Sequence, residues 1–301
     1  MPYKKHILLT GASGFVGTNF LDYLAKNNKD ISVRALIYDK DIEKKHPVVE
    51  KINGDIRDYE NLEKVFTGAP LDGIIHLAAV IKSPQEKDYT EVNVEGTRNL
   101  VRLAEKYGVK KFIFPSSDFV LYEDVAPNPY GISKRKCEEI ITASNLDFTI
   151  FRPTPIFGPG DTKNFKSLVS FIKKYPIIPA VQCLMEPVYV GDVVKMIIAA
   201  LESPAANRQI YYLPGGEKYS FPDILMIIAK QLKLKRIIIS LPPKIFLVAL
   251  KVYENLFPNP LLESYQVRKW LKTQPLDASK TKKDLGYNPI SFEEGVHFID
   301  L

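Results

Sequence analysis

The chain has 301 residues, 46% of them hydrophobic and 25% charged, enough apolar material for one large α/β domain with a smaller lobe, so disordered, collagenous and disulfide-scaffold proteins are excluded. Lys and Arg number 41 against 35 Asp and Glu, a formal charge of +6, but they fall in scattered pairs such as Lys4-Lys5, Lys110-Lys111 and Lys173-Lys174, which read as solvated faces, and no nucleic-acid partner is expected. Cys137 and Cys183, the two cysteines, show no metal-type spacing with each other or with the four histidines, so no metal is expected and a reducing cytoplasm is the expected location.

The stretch before Gly11 is too short for a signal peptide. His6–Thr10 reads as the first strand and runs directly into Thr10-Gly-Ala-Ser-Gly-Phe-Val-Gly, with Gly11, Gly14 and Gly17 three apart. A helix follows, with Phe15, Phe20, Leu21 and Leu24 on one face. Glycines between a strand and a helix let backbone N–H groups approach a pyrophosphate without an intervening Cβ, and the helix start adds partial positive charge. Gly11, Ser13, Gly14, Phe15, Val16 and Gly17 are therefore the expected dinucleotide cradle. The second strand, Ser32–Tyr38, ends at Asp39, which is placed to take ribose hydroxyls as in NAD; a plain turn residue fits the position equally, and nearby Arg34 and Lys40 keep NADP open.

Further strands are predicted at Val48–Asn53, Gly73–Leu77, Lys111–Phe114, Phe148–Arg152 and Gln209–Leu213, with a helix in which Gly96, Leu100, Leu103, Ala104 and Tyr107 share a face. This alternation is that of stacked βαβ units around a parallel sheet covered on both sides. In Pro129-Tyr-Gly-Ile-Ser-Lys134, Tyr130 and Lys134 lie four apart at a helix start, hence on one face. A tyrosine that is to act as a base near pH 7 needs its anion favoured by about 4 kcal/mol, which one ammonium about 4 Å away supplies; taken alone, such a pair reads first as a surface pair common to any helix. After Arg152 prolines cluster, and the expected division is a dinucleotide-binding domain over 1–153, with 209–213 returning to its sheet, and a substrate lobe over 154–301. There Ser220-Phe-Pro-Asp reads as a capped helix start. Ile237–Leu256 is interrupted by Ser240, Pro242, Pro243, Lys244, Lys251 and Glu254, so no membrane span is expected, with peripheral contact left open. Gly286 and Pro289 should stop a last helix.

Taken together, these motifs resemble the extended short-chain dehydrogenase/reductase family, the NAD-dependent epimerase/dehydratase group. The resemblance runs nearly end to end. Beyond the glycine loop and Tyr130-x-x-x-Lys134 it includes Gly54-Asp55-Ile56, His76-Leu-Ala-Ala79, Val92-Asn-Val-Glu-Gly-Thr97, Phe114-Pro-Ser-Ser117, Arg152-Pro-Thr-Pro-Ile-Phe-Gly-Pro159, Pro187-Val-Tyr-Val-Gly-Asp192 and Leu285-Gly-Tyr-Asn-Pro289. It implies a Rossmann-type doubly wound parallel sheet with a smaller C-terminal α/β substrate lobe. It also implies Asp55 and Ile56 beside the adenine, Leu77, Ala78 and Ala79 along the cofactor cleft, and Tyr130, Lys134 and the backbone after Pro153 at the nicotinamide. Ser117 would bind the reacting oxygen, Tyr130 would exchange its proton, and Lys134 would hold the ribose and lower the tyrosine pKa. Asn93 would order a water or the active-site backbone, with an ordinary helix-surface asparagine as the equal alternative, and His76 is expected to be packed. The implied reaction is hydride transfer between NAD(P) and a secondary alcohol or ketone on a sugar or sugar-nucleotide-like substrate, as an epimerase. A net reductase of a non-nucleotide substrate and a non-catalytic cofactor-binding subunit are the alternatives. A homodimer through the helices bearing Leu100 and Ile140 is also implied.

Three departures bear on chemistry. Dehydratases of this family carry Thr-Asp-Glu where this chain has Ser117-Asp118-Phe119; a benzyl group takes no proton, so dehydration is disfavoured, leaving Asp118 to cap or to face solvent. Nucleotide-sugar epimerases carry Asn at the place of Pro155 and Arg at that of Met185, so the diphosphate grip is weakened or moved, with Arg208, Arg236 and Arg268 as possible substitutes. Ser117 and Tyr130 are only 13 positions apart, which shortens the loop over the site.

Overall fold

The computed structural model describes residues 5–27, 30–42, 46, 49–161, 164–257 and 260–299. The first half is built from β1 (Lys5–Thr10), α1 (Phe15–Asn27), β2 (Ile31–Ile37), β3 (Val49–Asn53), α2 (Tyr59–Glu63), β4 (Gly73–His76), α3 (Glu86–Asp88), α4 (Gly96–Lys106), β5 (Lys111–Pro115), α5 (Pro129–Thr142) and β6 (Asp147–Pro153). A π-helical segment, Tyr89–Glu95, joins α3 to α4. The second half contains β7 (Ile156–Phe157), α6 (Asn164–Lys174), β8 (Ile177–Val181), β9 (Leu184–Met185), β10 (Val188–Tyr189), α7 (Val190–Glu202), β11 (Gln209–Leu213), β12 (Tyr219–Ser220), α8 (Phe221–Gln231), β13 (Ile237–Leu241), α9 (Pro243–Leu256), α10 (Ser264–Lys272), α11 (Ser279–Leu285) and α12 (Phe292–Val296).

Seven parallel strands form one sheet in the order β11-β6-β5-β4-β1-β2-β3. All seven strands expected from the apolar runs are present within two residues of their predicted ends; Val48 lies outside the described residues. Their central residues, such as Ile7, Leu8, Leu9, Ile74, Ile75, Phe112 and Ile113, are fully buried because helices cover both faces. On one face α1 and α7 meet around Phe20, Leu24, Val193 and Ile197; on the other, α4 and α5 pack around Leu100, Leu103, Phe114 and Ile141. Tyr107 departs from the predicted buried face of α4: it closes the helix, stays 39% exposed and donates to Glu63 at 3.0 Å.

Strand order reverses between β1 and β4, which opens a crevice at their C-terminal ends. A separate core gathers Phe157, Ile172, Ile178, Leu225, Ile228, Leu250, Val267 and Phe292 from β7, α6, β8, α8, α9, α10 and α12. Three two-stranded pairs, β7 with β10, β8 with β13 and β9 with β12, surround it. The predicted caps hold. Ser220 and Asp223 form a capping box at α8, and Gly286, at φ +67°, ends α11 in the left-handed conformation that glycine permits.

Candidate active site

The glycine loop leaves β1 at the crevice. Gly11 has φ +69°, and a Cβ there would lie 2.6 Å from Ala78 N and from Leu77 C, so the first glycine is required by the close passage of the β4 loop. A Cβ on Gly17 would lie 2.3 Å from Gly11 O, which makes this the glycine that seats α1 against the loop. Gly14 differs: it is exposed, and a Cβ would meet only Gly11 O, at 3.1 Å. Its outer side is open space directly ahead of a 13-residue helix, whose first N–H groups have no intrahelical acceptors. Ser13, Phe15 and Val16 share this turn, and Asn19 Nδ2 ties it down by donating to Phe15 O at 2.9 Å and Pro159 O at 2.8 Å. The residues present therefore fit a dinucleotide pyrophosphate.

Along the crevice, Asp55 at the end of β3 accepts from Arg57 Nε and Nη2 at 2.9 and 2.6 Å, while Arg57 Nη2 also reaches Tyr38 OH at 2.7 Å. Burial pushes the Asp55 carboxyl up, but the Arg57 guanidinium and backbone N–H outweigh it and hold the group below its ordinary range. Asp39 is exposed beside this cluster. Ile56 turns its side chain into the core, against the position a Gly96 Cβ would fill, at 2.5 Å. Leu77–Ala79 pass over Gly11, with Ala78 N donating to Thr10 Oγ1 at 3.1 Å. His76 is packed as expected: its ring nitrogens meet Thr10 Oγ1 at 2.7 Å and Thr97 Oγ1 at 3.0 Å, and burial, with Lys134 nearby, brings its pKa down to about 3.

The reactive group is assembled by α5. Asn128 caps this helix by accepting from Gly131 N at 2.7 Å, and Pro129 occupies its first position. Arg152 of β6 pairs with Glu138 at 2.6 Å, both largely buried, which fixes the helix on the sheet. Asn93 ties in from the π-helical segment: Oδ1 accepts from Val80 N at 2.7 Å, and Nδ2 donates to Val80 O at 3.0 Å and Ser133 Oγ at 2.8 Å. It is a buried backbone-ordering group, not a surface asparagine.

Ser117 lies close enough to the Tyr130 phenol to ease its ionisation, and it caps the 3-10 turn Asp118–Leu121, its Oγ accepting from Phe119 N at 3.2 Å. The Lys134 ammonium, only 4% exposed, donates to Pro115 O at 2.8 Å and lies 4.0 Å above the Phe114 ring. Burial lowers its pKa to about 8. Burial, then the Asp118 charge, drive the Tyr130 pKa up in this arrangement, in which the Lys134 ammonium donates to the Pro115 carbonyl. Next to these groups, Ser116 Oγ is buried with no partner among the described residues, the kind of group that a bound ligand satisfies. Pro153 is buried at the end of β6, in register with Leu213 of β11.

The sequence reading missed the far wall. Tyr265 and Lys269 come from α10: the Tyr265 and Tyr130 rings both pack on Phe119, with centroids 5.7 and 6.4 Å away. Lys269 Nζ lies 2.6 Å from Asp118 and 4.2 Å from the centre of the Phe119 ring. Asp118 thus neither caps nor faces solvent; it is buried in an ion pair, which its hydrophilicity in sequence did not reveal. Met185 is buried in the second core, and Arg208 and Arg236 spend their guanidiniums on backbone carbonyls of Ser144, Leu146, Ile172 and Lys173. Arg268, on α10, and Arg208 are exposed, while Arg236 is half-buried.

This chain is similar to a UDP-glucose 4-epimerase of Vibrio cholerae, 29% identical across 95% of this chain and 91% of that one. It is equally similar, at 29%, to the N-acetyl-alpha-D-glucosaminyl-diphospho-ditrans,octacis-undecaprenol 4-epimerase of Escherichia coli O157:H7, over 97% of this chain and 93% of the relative. The fold is that of the Bordetella bronchiseptica enzyme WbmG in complex with NAD, with a TM-score of 0.77 at 18% identity, covering 97% of this chain and 92% of WbmG. Residues 7–213 match the NAD dependent epimerase/dehydratase family, and with the glycine cradle, the Ser117–Tyr130 pair and Lys134 in one crevice, the chain belongs to that family and is an NAD-dependent enzyme of the extended short-chain dehydrogenase/reductase type.

Proposed function

We propose that the protein is a 4-epimerase of a diphosphate-linked hexose, acting in the cytoplasm by transient oxidation of one secondary alcohol. The observation that carries this reading is Ser117 placed beside Tyr130, with Lys134 one turn along α5 at the end of the crevice. The similarity to two 4-epimerases, one of nucleotide-linked and one of polyprenyl-linked sugars, supports the leaving of a diphosphate on the substrate.

NAD, when bound, supplies the acceptor and later the donor of a hydride. Gly11, Ser13, Gly14, Phe15, Val16 and Gly17 would cradle its pyrophosphate, Asp39, Asp55 and Ile56 its adenosine side, and Leu77–Ala79 and Pro153 the cleft. Tyr130 takes the proton of the substrate hydroxyl and returns it after the resulting ketone has presented its other face, while Ser117 orients the oxygen. Lys134 leaves the Pro115 carbonyl to hold the ribose and to favour the phenolate. Residues 1–153, with β11 returning, serve as the dinucleotide domain, and 154–301 mainly as the substrate lobe, whose Tyr265 and the ring of Phe119 give the sugar an apolar wall. A second copy would dock on the outer faces of α4 and α5, since Leu100 is in the core and Ile140 half-buried.

Incubation with UDP-glucose and UDP-N-acetylglucosamine, followed by NMR of the hexose C4 proton, should show interconversion without net NADH. A second reading, net dehydrogenation of a non-nucleotide alcohol, is favoured by Met185 being packed in the second core, where it offers no charge to a diphosphate; NADH accumulating in step with product would select it.

A further inference from the structure

Helix α9 is apolar on both sides. Phe246 and Leu250 enter the second core, while Ile245, Val248, Val252 and Leu256 stay 57, 67, 54 and 70% exposed. Their spacing puts these four on a single stripe opposite the core-facing residues. Phe257, just past the helix end, is 52% exposed and packs on Tyr253. A helix that is apolar all round is one that something covers on both sides. The strand that feeds α9 repeats the pattern: Ile237 and Ile239 of β13 are exposed, and so are their register partners on β8, Ile177 and Pro179. Strand alternation places these four on one face.

Charge identifies the cover. From Ile224 to Phe257 the chain carries Lys230, Lys233, Lys235, Arg236, Lys244 and Lys251 against a single acid, Glu254, which is paired with Lys251 at 3.2 Å. Lys244 and Lys251, two turns apart, border the stripe on the same flank. A second copy meeting this face with its helix antiparallel would set one cationic rim against another. An anionic lipid surface complements both features: the stripe enters the acyl boundary while the lysines reach back to the phosphates.

We propose that residues 237–257 dock on an anionic bilayer surface, with α9 lying in its plane. At 14 residues, about 21 Å, the helix is too short to cross. It packs on α10, which carries Tyr265 and Lys269, so the docked protein would hold the mouth of its crevice near the membrane. This proposal is independent of the reaction assigned above.

Vesicle co-sedimentation of the full chain tests it, comparing phosphatidylcholine alone with phosphatidylcholine mixed with phosphatidylglycerol, at low and high salt. Pelleting should require the anionic lipid, fall with salt, weaken about fivefold in Lys244→Ala, and drop at least about tenfold in the double variant Val248→Asp/Val252→Asp. The double variant should keep wild-type NAD binding and thermal unfolding, since both side chains face solvent. Absence of pelleting with either vesicle would overturn the proposal, as would undiminished pelleting of the folded double variant. A wild-type dimer in light scattering that the double variant converts to monomer would give the face to a second copy and overturn it too.

Discussion

Lys269 Nζ lies 2.6 Å from Asp118 Oδ2, and the two side chains are 1 and 4% exposed. The pair joins α10 to the turn that Ser117 caps, and Phe119, beneath the ammonium, carries the contact on to Tyr130. Removing one partner leaves the other buried without its counter-charge, so Lys269→Met should cost about 3–5 kcal/mol in chemical denaturation. The double variant Asp118→Asn/Lys269→Met should recover most of that loss, because neither charge remains. Equal destabilisation of the single and double variants would show that packing, and not charge, is at stake.

The same pair removes Asp118 from acid chemistry, and Phe119 occupies the position of a base. No 4-keto-6-deoxy product should therefore form from nucleotide hexoses, as mass spectrometry of long incubations would reveal. Tyr130→Phe should lower kcat by roughly 10²–10⁴ with cofactor binding near normal, while Ser117→Ala, which leaves an oxygen unpaired, should cost about 1–3 kcal/mol in the barrier. Full turnover in Tyr130→Phe would remove this hydroxyl from the mechanism.

The glycines separate binding from folding. Gly14→Val projects into the open side of the loop, where a Cβ meets only Gly11 O at 3.1 Å, so calorimetry should find NAD binding lost and thermal unfolding little changed. Gly17→Ala, with its Cβ 2.3 Å from the same carbonyl, should instead lower the unfolding temperature strongly. The reverse pattern would mean that Gly14 serves the fold and not the ligand.

Lys134 sets a pH signature. With its pKa lowered by burial to about 8, the ammonium that is to hold the ribose is lost as pH rises through 8 in the free protein, so NAD affinity should decline above that pH. Lys134→Met should bind weakly with no such decline. The sign for stability is opposite: between about pH 8 and the ordinary lysine value of 10.5 the unfolded chain holds the proton that the native chain has lost, so this group makes stability rise with pH.

The strands, the glycine cradle and the Tyr130–Lys134 pair were legible in the sequence because each rests on contacts within a few residues: an apolar run long enough for a buried strand, glycines at a strand-to-helix turn, two side chains four apart on a helix. The cap of α8 and the stop of α11 were legible for the same reason. Other features depend on chain neighbours far apart. Lys269 reaches Asp118 from 151 positions away, and nothing in either local pattern distinguishes a buried ion pair from two solvated charges. The partners that seat the Lys134 ammonium, the Pro115 carbonyl and the Phe114 face, come from a strand 19 and 20 positions away, which the spacing of Tyr130 and Lys134 cannot register. The two-sided apolarity of α9 is written in its sequence, yet which side the core takes was decided only when α9 packed between β8 and α10, because burial is a property of the assembled surface and not of the segment.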